Sequence, residues 1–305
     1  MQRGATNLGG IYLRGMLDAS MVRLIEWALE EDLGSGDCTS ASSVPESLMH
    51  EGFILAKEDG VVAGVEVAVK VFDMVDSRIQ VDVMKQDGDA VLVGDVVLKV
   101  FGPARSLLSG ERLALNFMQR MSGIATMTRR AMGLLEGTST RVLDTRKTTP
   151  GLRAFEKWAV VLGGGVNHRM GLYDMILVKD NHVDYAGGMT EAIANVAAYF
   201  EGGAERVPVE VEVRGMEELK EALKASELHD LPLERVLLDN FGPDRLREAV
   251  SWTQGRVPLE ASGGIDLSNL REYGTTGVDF VSMGALTHSV KGLDLSMKTQ
   301  PTIDS

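Results

Sequence analysis

Five basic side chains are concentrated in the middle of a chain that is otherwise acidic: Arg146, Lys147, His168, Arg169 and Lys179. Over its 305 residues the chain holds 31 Lys and Arg against 44 Asp and Glu, a formal net charge of −13. Guanidinium groups bind carboxylates and phosphates through paired hydrogen bonds, and an ammonium group acts on them as a compact charge. The basic group therefore predicts a pocket for a ligand with several negative charges.

Acidic and glycine-rich positions with complementary chemistry follow further along the chain. Glu212 and Asp239 supply carboxylates that suit hydroxyl groups or a Mg²⁺ ion bound to phosphate. The turn Ser262-Gly263-Gly264-Ile265 lies between a predicted strand and a predicted helix, where bare backbone N–H groups can bind phosphate. Gly284 follows the next strand, and many barrels build a phosphate site late along the chain. These positions predict that the ligand is phosphorylated.

The elements that must position these residues are short parallel strands. After Thr140 apolar runs alternate with helical patterns, at spacings long enough for right-handed crossovers. Ligands bind at the carboxyl ends of such strands, which is where the basic, acidic and glycine positions fall. The pattern predicts a parallel α/β barrel or a doubly wound sheet of six strands, two short of a complete barrel. The predicted strands are Arg141–Asp144, Met175–Val178, Val207–Val213, Val236–Asp239, Val257–Ala261 and Val278–Met283, and the helices include Thr190–Phe200, Met216–Ser226 and Pro243–Thr253.

The first half of the chain has a different pattern. A helix capped by Asp18 or Ser20 is predicted first. Short β-type runs separated by glycine turns follow, interrupted by a helix over Val65–Met74. Apolar residues spaced by four then predict a helix over Ser109–Gly123, with Gly123 as its stop.

Composition excludes several classes of protein. Hydrophobic residues make up 44% and charged residues 25%, the ordinary mix of a globular protein, so global disorder is excluded. The single cysteine, Cys38, excludes an intrachain disulfide and a Cys-based zinc cluster. No histidine pair has metal-ligand spacing, and we expect structural roles for His182 and His288. The acidic balance and the lack of long apolar runs lead us to expect a cytoplasmic protein that binds neither nucleic acid nor membrane.

Nine short stretches occur in a characteristic order along the chain. They begin at Glu31 (EDLGSGD), Glu111 (ERLALN), Asp144 (DTRKTTPGLR), Gly163 (GGGVNHR), Leu177 (LVKDNH), Glu210 (EVEV), Leu238 (LDNF), Ala261 (ASGGI) and Gly284 (GALTH). Each stretch alone is a weak signal. Together they make the chain, from about residue 20 to residue 298, resemble the quinolinate phosphoribosyltransferase family.

The resemblance implies a fold and a reaction. The fold is α/β, with an N-terminal α/β sandwich domain followed by an incomplete parallel α/β barrel of about six strands. The sandwich is expected over 18–125, with 286–305 packed back on it, and the catalytic barrel over 126–285. The start of the chain is rich in glycine and has no periodicity, so we expect a disordered extension over 1–17. The reaction joins quinolinate to phosphoribosyl pyrophosphate with Mg²⁺, giving nicotinate mononucleotide, pyrophosphate and CO₂ in NAD biosynthesis.

The resemblance also implies a role for each matching residue. The residues implied to bind the quinolinate carboxylates are Arg146, His168 and Arg169. Those implied to be catalytic, facing phosphoribosyl pyrophosphate and its metal, are Lys147, Lys179, Glu212 and Asp239, with Glu212 and Asp239 closest to the metal. Those implied to hold the 5-phosphate are Ser262, Gly263, Gly264 and Gly284. Arg112 would enter the quinolinate pocket of a neighbouring subunit, in a homodimer or larger homo-oligomer.

Three alternatives stay open at this point. A related phosphoribosyltransferase with another acceptor, a molybdenum-associated paralogue or one that uses nicotinate, would need fewer cations for its acceptor. A biotinyl or lipoyl carrier is suggested by Asp87-Gly88-Asp89-Ala90-Val91, but the nearby Met84-Lys85 is misplaced for a modified lysine. A noncatalytic barrel would bind both substrates and convert neither.

Overall fold

The computed structural model describes residues 17–299. The predicted disordered extension lies outside the described residues except for residue 17, and so do residues 300–305. The helices are α1 (Ala19–Leu33), α2 (Cys38–Ser43), α3 (Val65–Val75), α4 (Ala104–Leu134), α5 (Arg153–Leu162), α6 (Asp180–Ala186), α7 (Met189–Glu201), α8 (Met216–Leu228), α9 (Pro243–Thr253), α10 (Leu270–Gly274) and α11 (Ala285–His288). The strands are β1 (Met49–Ala56), β2 (Gly60–Val61), β3 (Gln80–Val83), β4 (Ala90–Val91), β5 (Val96–Pro103), β6 (Arg141–Leu143), β7 (Ile176–Val178), β8 (Val209–Val213), β9 (Arg235–Asp239), β10 (Leu259–Ser262), β11 (Phe280–Ser282) and β12 (Leu295–Lys298).

The described residues fall into two compact units. The first comprises 17–129, 148–164 and 286–299, and the second comprises 130–147 and 165–285. The chain therefore returns to the first unit between two stretches of the second. The local sequence pattern did not predict this return, because it depends on contacts with α4 that are distant in sequence.

The first unit contains an antiparallel sheet with the strand order β12-β1-β5-β3. Ile54 of β1 pairs with Leu98 of β5 on one side and Met297 of β12 on the other, so the C-terminal strand is part of the N-terminal sheet. Asp18 caps α1, as one of the two sequence alternatives predicted. Asp87, from the carrier-like stretch, caps α3 through its carboxylate, which accepts the backbone N–H groups of Val65 and Glu66 at 3.0 and 3.1 Å.

Helix α4 runs without interruption through Gly123, where the sequence predicted a stop. A Cβ at Gly123 would overlap the carbonyl oxygen of Lys291 and lie 3.0 Å from the Cα of Gly292. The residue is glycine because the backbone of the segment before β12 crosses the helix at this point. The prediction was wrong because a capping glycine and a close-contact glycine look the same in a local pattern.

Residues 148–164 also lie against α4. Arg120 of α4 makes two hydrogen bonds to the buried carboxylate of Glu156 and one to the hydroxyl of Thr149. Gly163 approaches the same helix so closely that a Cβ there would lie 2.5 Å from the carbonyl oxygen of Ala125. These contacts hold the segment within the first unit.

The second unit is built on a parallel sheet of six strands in the order β6-β11-β10-β9-β8-β7. All six predicted strands are present, with ends that differ by one or two residues from those expected, and α9 matches its prediction. Within 130–147 and 165–285 no ladder joins β6 to β7, so the barrel is incomplete. The predicted α/β fold class is confirmed.

The longest helix, α4, is too polar to cross a bilayer, and none of the helices within residues 17–299 combines the length and the apolar character of a membrane span.

Replacing Gly123 with alanine should destabilise the first unit, because the added methyl group meets rigid backbone. We expect a loss of about 1–3 kcal/mol in the free energy of unfolding, measured by urea denaturation. Gly133, in the same helix with open space around it, is the matched control. Gly133→Ala should be neutral or stabilise by about 0.5–1 kcal/mol, and equal effects of the two changes would contradict the close contact at Gly123.

Candidate active site

The sheet order of the second unit brings the predicted site residues to one edge. Because parallel strands point the same way, their carboxyl ends share that edge. Along it, in spatial order, lie Arg146 and Lys147 after β6, Gly284 after β11, Ser262, Gly263 and Gly264 at and after β10, Asp239 at the end of β9, Glu212 in β8 and Lys179 after β7. Residues far apart in sequence therefore become neighbours.

His168 and Arg169 reach this edge through Asp144. Val166 forms a parallel bridge with Leu143 of β6, which places the following residues beside the end of that strand. The fully buried carboxylate of Asp144 then accepts the backbone N–H of His168 at 2.9 Å. In the sequence, Asp144 is only the last residue of a predicted strand and the first of a family motif, and its contact with the His168 backbone is seen only in the structure.

Two guanidinium groups converge at this point. Arg169 is 9% exposed, and its Nη1 donates to the carbonyl oxygen of Met175 at 3.1 Å. Burial lowers the pKa of Arg169, and the nearby positive charge of Arg146 lowers it further. Arg146 is exposed and makes no hydrogen bond or ion pair within the part of the chain that the structure describes. Two positive charges that act on each other at one edge favour a ligand with several negative charges.

An ammonium and a carboxylate meet at the other end of the edge. Lys179 Nζ lies 2.9 Å from Glu212 Oε2, and Glu212 is 7% exposed. The backbone N–H of Lys179 donates to Nδ1 of His182 at 2.9 Å, at the start of α6. His182 therefore has the structural role that was expected of it.

Asp239 and the glycine turn are linked by Asn240, which sequence reasoning did not select. Nδ2 of Asn240 donates to Asp239 Oδ2 at 2.8 Å, and the Asn240 backbone N–H donates to the carbonyl oxygen of Ser262 at 2.8 Å. Gly263 and Gly264 have φ of +104° and +62°. Helix α10 begins only at Leu270, so the turn does not lead directly into a helix as the sequence suggested. The predicted phosphate site therefore depends on the backbone N–H groups of the turn itself.

A second group of charged residues lies buried inside the unit. His168 Nε2 lies 3.1 Å from Glu210 Oε2 and 3.7 Å from Glu260 Oε2, while Nδ1 accepts the backbone N–H of Arg169. Arg235 Nη1 lies 3.4 Å from Glu260 Oε2, and Arg235 Nε lies 3.6 Å from Glu210 Oε2. The ring of His168 therefore supports Arg169, and its direct contact with a substrate carboxylate stays a prediction.

Burial has the largest effect on the pKa of Glu210 and of Glu260. Glu210 and Glu260 are fully buried, and burial raises the pKa of both, with the charge of Glu210 raising that of Glu260 further. Three of their four carboxyl oxygens make no hydrogen bond among residues 17–299. A protonated carboxyl group is the favoured form in such surroundings. The donor types of His168, Glu210 and Glu260 could hold a metal ion, but Arg235 already supplies positive charge there.

Arg112, the site residue predicted from the first unit, is exposed on α4. It makes no hydrogen bond or ion pair within residues 17–299. Asn116, one turn later, is exposed as well, whereas Arg120 is bound to Glu156. Arg120 is therefore a structural arginine, whereas Arg112 keeps an exposed charge whose nearest effect is on the adjacent Glu111.

Glu260→Gln should change how stability depends on pH. Because burial raises the pKa of Glu260, the folded protein retains a proton that the unfolded chain loses above about pH 4.3. The contribution of this group to stability is therefore present at low pH and is lost as pH rises toward the raised pKa. The variant, which mimics the protonated form, should gain stability relative to the wild type by up to about 1.4 kcal/mol per pH unit in that window.

Urea unfolding at a series of pH values checks this expectation, with Glu248→Gln, at an exposed position of α9, as the control. A stability difference between Glu260→Gln and the wild type that does not change with pH would contradict it.

Comparison with known proteins gives a consistent result. Residues 37–122 match the N-terminal domain of quinolinate phosphoribosyl transferase, and residues 124–298 match its C-terminal domain. The chain is 42% identical to the chloroplastic, carboxylating nicotinate-nucleotide pyrophosphorylase of Arabidopsis thaliana, over 98% of this chain and 89% of the relative. It is 45% identical to the decarboxylating quinolinate phosphoribosyltransferase 1b of Nicotiana tabacum, over 90% of this chain and 81% of the relative.

A solved structure agrees with these relatives. The crystal structure of NadC from Streptococcus pyogenes superimposes with a TM-score of 0.87 at 38% identity, covering 93% of this chain and 98% of that one. Both domains and nearly the whole length of the chain are accounted for in order. The chain therefore belongs to the quinolinate phosphoribosyltransferase family.

Proposed function

We propose that this chain transfers the phosphoribosyl group of phosphoribosyl pyrophosphate to quinolinate and releases CO₂, forming nicotinate mononucleotide and pyrophosphate in NAD biosynthesis. The observation that carries the proposal is the convergence of Arg146 and Arg169 on the strand-end edge that also holds Glu212, Asp239 and the glycine turn. One edge thus offers cations for a dicarboxylate and groups for a phosphorylated sugar. The names of the relatives support the same reaction.

The quinolinate end of the site is formed by Arg146 and Arg169. Quinolinate has two carboxylates, and two guanidinium groups can hold both charges and the angle of the ring. His168 holds the backbone of Arg169, since its Nδ1 accepts the backbone N–H of Arg169 at 2.7 Å. Binding the dianion relieves the repulsion between the two arginines.

The phosphoribosyl end is formed by the remaining predicted residues. The turn Ser262-Gly263-Gly264 and Gly284, on the neighbouring strands β10 and β11, bind the 5-phosphate through backbone N–H groups. Lys147 and Lys179 stabilise the negative charge that develops on the leaving pyrophosphate. Lys179 is already held at 2.9 Å from Glu212, so little reorganisation is needed.

Glu212 and Asp239 are the residues that would hold Mg²⁺. They lie on the neighbouring strands β8 and β9 at the shared edge, and they offer the hard oxygen ligands that Mg²⁺ requires. Mg²⁺ usually binds through one or two carboxylates and the phosphates of a substrate, and this donor set fits that pattern. When bound, the ion neutralises charge on the pyrophosphate group.

The reaction needs no protein nucleophile. The ring nitrogen of quinolinate forms a bond to the anomeric carbon as the bond to pyrophosphate breaks. The carbon–carbon bond to the adjacent carboxylate then breaks and releases CO₂, and the ring carbon keeps the electron pair until it takes up a proton. The positive ring nitrogen stabilises that electron pair, so the protein contributes positioning and electrostatic stabilisation.

Arg112 completes the proposed site from a neighbouring subunit. Its exposed charge has no hydrogen-bonded partner within residues 17–299. Helix α4 begins at Ala104, so Arg112 lies beyond the first turn, where the helix dipole was expected to act on it. A quinolinate carboxylate bound to the other subunit of a homodimer would supply the missing partner.

The cytoplasmic location expected from the sequence stays a prediction, because plant relatives are named chloroplastic or mitochondrial.

The reaction can be tested directly by product analysis. Purified protein should release CO₂ and pyrophosphate and form nicotinate mononucleotide only when quinolinate, phosphoribosyl pyrophosphate and Mg²⁺ are all present. Nicotinate, with one carboxylate, should be a much poorer acceptor because one cation is left unpaired, at a cost of about 1–3 kcal/mol or 5- to 150-fold in kcat/KM. Equal use of nicotinate would contradict the assignment of the acceptor.

The shared site can be tested by subunit mixing. Arg112→Ala and Lys147→Ala homodimers should each be nearly inactive, because every site then lacks one essential cation. Mixing the two variants under conditions of subunit exchange should restore activity, since some heterodimers contain one site with both residues intact. Mass spectrometry verifies the exchange. If verified heterodimers stay inactive, Arg112 does not act on the site of a neighbouring subunit.

A further inference from the structure

Asn240 has an unusual backbone conformation at the end of β9. Its φ is +54°, in the left-handed region, which asparagine tolerates better than most side chains. The other non-glycine residues with positive φ in the described part of the chain are Asp230 and Gln254, in turns that follow α8 and α9. Asn240 alone among the three follows a strand at the edge that carries the candidate site.

The side chain of Asn240 joins two parts of that edge. Its Nδ2 donates to Asp239 Oδ2 at 2.8 Å. Its Oδ1 occupies the space where a side chain on Gly263 would begin, since a Cβ there would overlap this oxygen and lie 2.7 Å from Cγ. The backbone N–H of Asn240 donates to the carbonyl oxygen of Ser262 at 2.8 Å. One residue therefore contacts the carboxylate and the turn at the same time.

These contacts fix the orientation of both groups. Oδ2 of Asp239 is engaged by the amide, while Oδ1 makes no hydrogen bond within residues 17–299 and is left for a ligand. The turn is held against the end of β9 by the Ser262 carbonyl, and the missing side chain of Gly263 lets the amide approach. A shift of either group would break a contact with the other through Asn240.

We propose that Asn240 is a positioning residue that couples Asp239 to the Ser262–Gly264 turn, so that the pyrophosphate-bearing end and the 5-phosphate end of phosphoribosyl pyrophosphate are recognised together. The inference rests on the proposed function, which assigns that substrate to this edge. Asn240 acts through its amide, which donates to one group and packs on the other. A residue that only tolerated the backbone turn would not need that amide.

Two substitutions separate the amide from the backbone conformation. Asn240→Gly adopts positive φ freely but removes the side chain. Asn240→Asp keeps the shape and tolerates the left-handed region, but it replaces the donor with a carboxylate next to Asp239. Gln254→Gly is the matched control, because it changes a residue with the same backbone conformation, φ +50°, at the end of α9.

Calorimetric titration with ribose 5-phosphate in the absence of metal tests the turn without the complete reaction. Both Asn240 variants should bind ribose 5-phosphate about tenfold more weakly than the wild type, the effect of losing a hydrogen bond to a charged group. They should also raise the KM for phosphoribosyl pyrophosphate, while direct titration with quinolinate gives unchanged affinity. Gln254→Gly should match the wild type in every measurement, and urea unfolding confirms that each variant is folded.

The outcomes distinguish this inference from the proposed function. If Asn240→Gly binds ribose 5-phosphate and phosphoribosyl pyrophosphate as the wild type does, the coupling role is overturned and the proposed function stands. Equal weakening of quinolinate and ribose 5-phosphate would also overturn it, because the residue would then act on the fold as a whole. A wild-type chain that does not bind ribose 5-phosphate would overturn the proposed phosphate turn and this inference with it.

Discussion

The burial of Arg169 next to the positive charge of Arg146 is the constraint on which the candidate site depends. Two guanidinium groups do not stay together without a framework that holds them, and burial adds to the cost of charging Arg169. The framework comes from Asp144, which anchors the backbone of His168, and from the bridge between Leu143 and Val166. Arg169 is therefore held in place before an anionic ligand binds, and preorganised charges of this kind stabilise bound and developing charge.

A second set of charged side chains, Glu210, Arg235 and Glu260, is buried in the interior of the second unit. Glu210, Glu260 and Arg235 come from the neighbouring strands β8, β9 and β10, so the sheet register itself brings them together. Burial raises the pKa of both carboxyl groups, and desolvation offsets most of the attraction that an ion pair with Arg235 would supply. The value of these buried side chains is geometric: Glu210 lies against one nitrogen of the His168 imidazole, and the other nitrogen accepts the backbone N–H of Arg169. The pair Lys179–Glu212 differs because its lysine side chain is half-exposed at the edge, while its ammonium group is held 2.9 Å from the carboxylate.

Helix α4 shows how neighbouring arginines acquire different roles. Arg112 and Arg120 lie on one side of the helix, yet Arg120 is bound to Glu156, Thr149 and the carbonyl oxygens of Thr287 and Val290. It holds two segments of the first unit that are distant in sequence. Arg112 meets no such segment within residues 17–299 and keeps its charge at the surface, so its role in a neighbouring subunit stays a proposal.

The sequence by itself determined the strand pattern, the edge at which the chemical groups collect, and the ordered motifs that identify the family. These features follow from local periodicity and from the direction shared by parallel strands, so they can be read without distant contacts. Only the tertiary structure decided the roles of Asp144, Asn240, Gly123 and the pair Glu210–Glu260. Each of these roles is defined by an atom from a segment far away in the chain, such as the Lys291 carbonyl that passes Gly123. A local pattern carries no record of that partner, because packing and desolvation arise only when the distant segments meet.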